Sequence, residues 1–207
     1  MRITSLFRSR LTFSTLNEKR LRLKQIIIEK AIQFKTVNLS KGKKSPFYYD
    51  IKSLINDPEG TVLIGELMLE KIRAVEPNVK SVGGLEIGAI PITTAIVYHS
   101  NQLAEGHKIC GFFIRKEPKT HGLEKKIEGF PKTPIVVVDD VITTGASVLE
   151  SVDALRNEGI SAANIVSVID RESDGNILKP NNMKYHSLFK HSDFAEYVNS
   201  KLQTQRN

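Results

Sequence analysis

The chain has 207 residues, 40% hydrophobic and 26% charged, the make-up of one globular domain or one domain with a small appendage. No apolar run approaches the roughly 18–20 residues a membrane span needs, and the single cysteine, Cys110, excludes an internal disulfide and a cysteine-based zinc cluster. Much of the net charge of +7 lies in residues 1–24, where Arg2, Arg8, Arg10, Lys19, Arg20, Arg22 and Lys24 face the one acid Glu18, so a basic nucleic-acid face on the folded body is not expected.

Residues 1–17 read as a basic tail, ahead of a single domain over 18–207. The acid-free opening MRITSLFRSRLTFSTL suits an organelle transit peptide or a plain extension, and the plain extension is the reading taken. Cytosolic residence is expected, with Cys110 a small buried hydrophobe inside ICGFFI. From Glu18 to Phe34 a broad apolar stripe predicts a helix. The stretch NLSKGKKSPFYYDIKSL predicts turn and strand, and Asp57-Pro58 opens a second helix through Val62, Leu63, Leu67, Leu69 and Ile72. After Pro77 short apolar strands are expected at Val79–Val82, Ile109–Ile114, Ile135–Val138, Ile165–Ile169 and Ser187–Phe189. Helices fall between them at Ile90–Ser100 and Ser147–Asn157, the latter ended by Gly159. Such alternation predicts an α/β fold with a mostly parallel sheet covered on both faces and a ligand site outside the carboxyl ends of its strands.

The stretch IVVVDDVITTGAS, Ile135–Ser147, carries the first chemistry. Neighbouring strand residues point to opposite faces, so Asp139 and Asp140 are expected to serve different partners rather than chelate one ion together. The following turn aims backbone N–H groups and the hydroxyls of Thr143, Thr144 and Ser147 at one spot, where a helix N-terminus adds positive character. A phosphate monoester fits that nest, and Gly145 lets the backbone come close. Carboxylates beside an anion nest make sense if they accept from a ribose diol and hold Mg²⁺ through water. The site therefore reads as sugar plus phosphate. An acid-capped helix after a buried strand is the plain alternative for the two acids alone, but not for the whole string.

This string resembles the signature of the type I phosphoribosyltransferases, which implies binding of 5-phosphoribosyl 1-diphosphate (PRPP). A second stretch, Arg115-Lys116-Glu117-Pro118-Lys119-Thr120-His121-Gly122, gathers three cations and a histidine after an apolar strand. It suits a leaving diphosphate, and the LEKKIEGFPK that follows suits a mobile lid. This stretch resembles the loop of orotate phosphoribosyltransferases in particular. So do GKKSPFYYD, VGGLEIGAIPITTAI, VIDRESDG and YHSLFKHSDF, in the same order over Glu18 to Val198.

The resemblance implies a small hood from residues 18–56 with a C-terminal part, set on a PRPP-binding core at about 57–180. Arg115, Lys116, Lys119 and His121 would bind the diphosphate end. Asp139, Asp140, Val141, Ile142, Thr143, Thr144, Gly145, Ala146 and Ser147 would bind ribose and 5-phosphate. Thr143 and Arg171 would contact orotate, with ring or backbone contacts from Tyr48 and Tyr49; half-buried strand aromatics are the plain alternative for that pair. Lys119, His121 and Asp140 form the expected catalytic set. Mg²⁺ is the implied cofactor, held mainly by substrate, and a homodimer sharing the Arg115–His121 loop is the implied assembly, with neither nucleic acid nor membrane as a partner. Ser40, Gly88 and Thr120 depart from residues found in some relatives. A purine-type phosphoribosyltransferase and a PRPP-sensing RNA-binding regulator are the competing readings.

Overall fold

Thr15 and Glu18 start the first helix, α1 (Leu16–Ile26), by bonding reciprocally: the Thr15 hydroxyl accepts from the Glu18 amide at 3.2 Å, and the Glu18 carboxylate from the Thr15 amide at 3.1 Å. The computed structural model describes residues 15–38, 44–102, 108–117 and 125–205. α1 runs into a π-helical turn at Ile27–Ala31 and then leaves the helix, three residues short of the expected Phe34. The cause is pairing. Ile32–Gln33 (β1) bonds antiparallel to Tyr48–Tyr49 (β4), and Val37–Asn38 (β2) bonds to Lys44–Ser45 (β3). Two helices follow. Asp50 caps α2 (Ile51–Ile55) by accepting from the Ser53 amide. Asp57 caps α3 (Pro58–Val75) by accepting from the Glu59 and Gly60 amides, with Pro58 in its first turn.

The basic residues of α1 are not free charge. Lys19 pairs with Glu66 at 2.8 Å and Arg22 with Glu59 at 2.7 Å, both on α3. Arg20 donates to the Leu188 carbonyl and lies 4.4 Å from the Phe189 ring centre. Three of the cations counted toward the basic N-terminal stretch thus bind the helix to the body.

The main sheet has six strands: β5 (Ser81–Leu85), β6 (Cys110–Ile114), β7 (Ile127–Gly129), β8 (Ile135–Ile142), β9 (Ala162–Asp170) and β10 (Tyr185–Lys190), in the order β10-β9-β8-β5-β6-β7. All neighbours are parallel except β7, which runs antiparallel along β6. Alternation along β8 sorts its side chains into two layers. Val136 and Val138 pack with Leu63 and Ile64 of α3 and with Ile92 and Ile96 of α4 (Ala89–Asn101). Ile135 and Val137 pack with Val148 and Leu155 of α5 (Ala146–Asn157). Helices therefore cover both faces, as parallel strands require.

The five expected strands are present with shifted ends, and β5 begins two residues after Val79. β7 was unexpected. It takes Ile127–Gly129 out of the stretch read as a lid and places them in the sheet, because their backbones complete the open edge of β6. Cys110 is only part-buried, at the start of β6, rather than a core residue. A 3₁₀ turn, His191–Asp193, leads into the last helix, α6 (Ala195–Thr204), whose Tyr197 ring lies 6.0 Å from Phe34. None of the described helices is long and apolar enough to cross a membrane.

Candidate active site

The acids lie at the carboxyl end of β8. Its pairing with β5 stops at Val137, so Asp139 and Asp140 stand beyond that partner, where the turn into α4 crosses over them. Asp139 Oδ1 accepts from the Asp140 amide and Asp140 Oδ1 from the Val141 amide, each at 2.9 Å. This folding back brings both carboxylates to one place. A Cβ at Gly88 would lie 2.8 Å from Asp140 Oδ1 and 3.1 Å from Asp139 Oδ1. The expectation that alternation keeps the two acids apart is thus corrected: it separates their Cβ atoms, not their oxygens. Burial, with the Asp140 carboxylate adding to it, holds the Asp139 carboxyl well above the usual carboxylate range.

Asp140 is buried, and its second oxygen accepts from Lys52 Nζ at 2.5 Å. Lys52 comes from α2. Burial works against its charge, but Asp140 more than offsets this and raises the ammonium above the usual lysine value. Among the described residues no group of three or more His, Cys, Asp or Glu converges as a metal cage. The two carboxylates offer the hard oxygen donors that suit Mg²⁺.

Past the acids the chain turns through Thr143 and Thr144 into α5. Gly145 sits at the head of that helix with φ 81°. A Cβ there would meet Leu178 Cγ at 2.5 Å, so glycine is required twice over. Thr143, Ser147 and Val141 line a cavity of about 230 Å³ that also reaches Lys52, Lys116 and Arg171. Ala146 is exposed beside it, and the Thr144 hydroxyl accepts from the Ala146 amide at 3.4 Å. The Ile142 side chain lies in the core, and its carbonyl accepts from the Arg171 amide at 2.9 Å.

Arg171 follows β9 at the far wall. Its guanidinium sits 4.8 Å from the Phe47 ring centre and 5.7 Å from that of Tyr49, and Nη2 donates to the Ser45 hydroxyl at 3.1 Å. Burial lowers its pKa, with Tyr49 and Tyr48 opposing. Tyr48 is part-exposed on the cavity wall. Tyr49 is 1% exposed and its hydroxyl lies 2.8 Å from His191 Nδ1. Its ring is therefore spent on the core, which leaves only its backbone to meet a ligand.

Lys116 lines the cavity and its amide donates to Glu86 at 3.0 Å. Arg115 does not line it. Its guanidinium points toward Glu128 on β7, 3.8 Å away. Lys119 and His121 lie outside the described residues, as do Ser40 and Thr120. Lys52 escaped the sequence reading, although a cation two residues past the FYYD stretch was a signal to test.

A parallel sheet with an acid pair and a Thr/Gly turn at a helix head defines a type I phosphoribosyltransferase fold. No family model matches the chain. The orotate phosphoribosyltransferase of Aquifex aeolicus is 42% identical over 159 residues, covering 75% of this chain and 84% of that protein. That of Bradyrhizobium diazoefficiens is 36% identical over 184 residues, covering 86% and 96%. The crystal structure of Mycobacterium tuberculosis orotate phosphoribosyltransferase in complex with PRPP superimposes with a TM-score of 0.67 at 28% identity, covering 86% of this chain and 99% of that one. The chain belongs to the orotate phosphoribosyltransferase family.

Proposed function

We propose that the protein transfers the 5-phosphoribosyl group of PRPP to N1 of orotate, releasing diphosphate and forming orotidine 5'-monophosphate. The observation that carries this reading is one cavity with an acid pair and a helix head on one side and an aromatic-backed arginine on the other. The helix head with Thr143, Thr144 and Ser147 receives the 5-phosphate. Asp139 and Asp140 accept from the ribose hydroxyls, with Lys52 offsetting charge that would repel the phosphates. Arg171 meets the orotate carboxylate, a planar anion that suits a guanidinium.

The bond from C1 of the ribose to the diphosphate oxygen breaks with its electron pair on oxygen, and N1 bonds to C1 as the N1–H bond gives up its proton to solvent or to the departing diphosphate. Positive charge develops on the ribose ring between these events, so the site supplies positioning and electrostatics rather than a nucleophile. Lys116, Lys119 and His121 steady the leaving diphosphate in this reading. Mg²⁺ belongs to it as well: Asp139 and Asp140 would help hold it beside the substrate, and it would supply charge neutralisation for the departing diphosphate.

A homodimer completes the reading. Tyr98 of α4 and Phe130, just after β7, are 62% and 68% exposed, large apolar side chains left on the surface. An apolar groove lined by Ile90 and Val97 of α4 and Phe113 of β6 involves the same helix, which supports a second copy as its cover. The division into hood and core, and residence in the cytoplasm, are part of the same proposal. The test is direct: mix the protein with PRPP, Mg²⁺ and orotate and follow the fall of orotate absorbance. Turnover with hypoxanthine or guanine in place of orotate overturns the acceptor assignment.

A further inference from the structure

Arg171 has aromatic rings and a hydroxyl for company, but among the described residues no carboxylate pairs with it. A desolvated guanidinium without a counter-ion is a strong anion receptor, provided its direction is fixed. Its direction is set by what lies behind it. The Phe47 ring meets both the Arg171 guanidinium, 4.8 Å from its centre, and the His191 ring, 5.4 Å away and almost parallel at 18°. Tyr49 closes the group edge-on, 5.5 Å from Phe47, with its hydroxyl 2.8 Å from His191 Nδ1. Burial holds the Tyr49 hydroxyl in its protonated form, and that hydroxyl shares one hydrogen bond with Nδ1, its direction following the His191 tautomer. Burial and the nearby Arg171 both disfavour a charged imidazole there. Glu172 holds the other end of the turn by accepting from the Ser192 amide at 2.8 Å.

We propose that His191 and Tyr49 are positioning residues for the acceptor base: through Phe47 they hold the Arg171 guanidinium at the angle that grips a planar carboxylate. Neither side chain touches substrate itself. The claim rests on Arg171 being the orotate contact, and it adds a link from the C-terminal turn to base selection. Loss of the hydrogen bond lets the His191 ring turn, frees Phe47 and loosens Arg171. Orotate binding weakens, while the PRPP half of the site, on β8 and α5, is untouched.

The experiment is steady-state kinetics on the full chain, varying orotate and PRPP separately, with thermal melts alongside. Tyr49→Phe removes one hydroxyl and keeps the ring; His191→Ala removes the stacking partner. Each is expected to raise KM for orotate about three- to tenfold, the effect of one lost hydrogen bond, with KM for PRPP within about twofold. The double variant is expected to be little worse than either single, because both act through one contact. An unchanged orotate KM in Tyr49→Phe overturns the proposal, as does an equal rise in both KM values. Arg171→Gln separates the layers. If it raises orotate KM strongly while Tyr49→Phe does not, the positioning role alone fails. If it leaves orotate KM unchanged, the placement of the base fails too. Should His191→Ala not fold, Tyr49→Phe decides.

Discussion

Lys52 Nζ lies 2.5 Å from Asp140 Oδ2, joining α2 to the end of β8 across the mouth of the cavity. The carboxylate is buried and its neighbour is another acid, so removing the cation leaves a charge that the site cannot easily hold. Lys52→Met is expected to lower kcat/KM about 10- to 100-fold, mainly through KM for PRPP, with Lys52→Arg recovering part of the loss. Initial rates against PRPP concentration check this. An effect confined to orotate KM would place Lys52 elsewhere in the mechanism.

Asp139 gives a stability prediction with a definite sign. Its carboxyl titrates higher in the folded protein than in the unfolded chain, chiefly through burial. The folded state therefore binds the proton more tightly, and this group's contribution is full below about pH 3.9, the unfolded carboxylate value. It is lost as pH rises through the folded value. Asp139→Asn removes the penalty near neutral pH and is expected to raise Tm at pH 7–8 by about 2–4 °C while lowering activity at least about tenfold. Melting curves from pH 4 to 8 read the first effect: the gap between variant and wild type should widen as pH increases.

Gly145 carries φ 81° and has Leu178 packed where a side chain would start. Gly145→Ala is expected to cost about 1–3 kcal/mol of stability, from the left-handed backbone and the clash together. The surviving folded protein should bind PRPP more weakly, because the N–H groups at the head of α5 shift. Chemical denaturation and PRPP titration by calorimetry measure the two effects separately.

The proposed dimer is open to a mixing experiment. If the loop of one subunit serves its neighbour's cavity, Lys119→Ala and Arg171→Gln damage different halves of each composite site. Both variants alone should be nearly inactive. Co-expressed in equal amounts, they should recover about a quarter of wild-type activity, because half the dimers are hybrids with one intact site. Phe130→Asp, on the exposed apolar face, should shift the mass in light scattering toward the monomer and abolish the recovery.

The legible part of this site was the part that is consecutive. Asp139 to Ser147 lie on one strand, one turn and one helix head, so local rules placed the acid pair, the turn and its glycine. What was not legible comes from distant segments. Lys52 reaches Asp140 across 88 positions and Tyr49 reaches His191 across 142, contacts made only once the sheet has formed. The convergence of the two acids was hidden for a related reason: alternation governs Cβ direction, while the oxygens follow the amides they accept from. β7 was hidden by its length. Three residues with a glycine and a glutamate carry no strand periodicity, and only the open side of β6 makes a strand of them.

That short strand has a consequence for the basic loop. The Arg115 amide donates to the Lys126 carbonyl at 2.9 Å, so the segment between them leaves and re-enters the fold at one hydrogen-bonded gate. The two ends are joined by the sheet whatever lies between. Lengthening such a tether costs little, about 0.6 kcal/mol per doubling. An insertion or deletion between these two positions is therefore expected to leave β6, β7 and the turn into α5 in place, so chain length there can vary on its own.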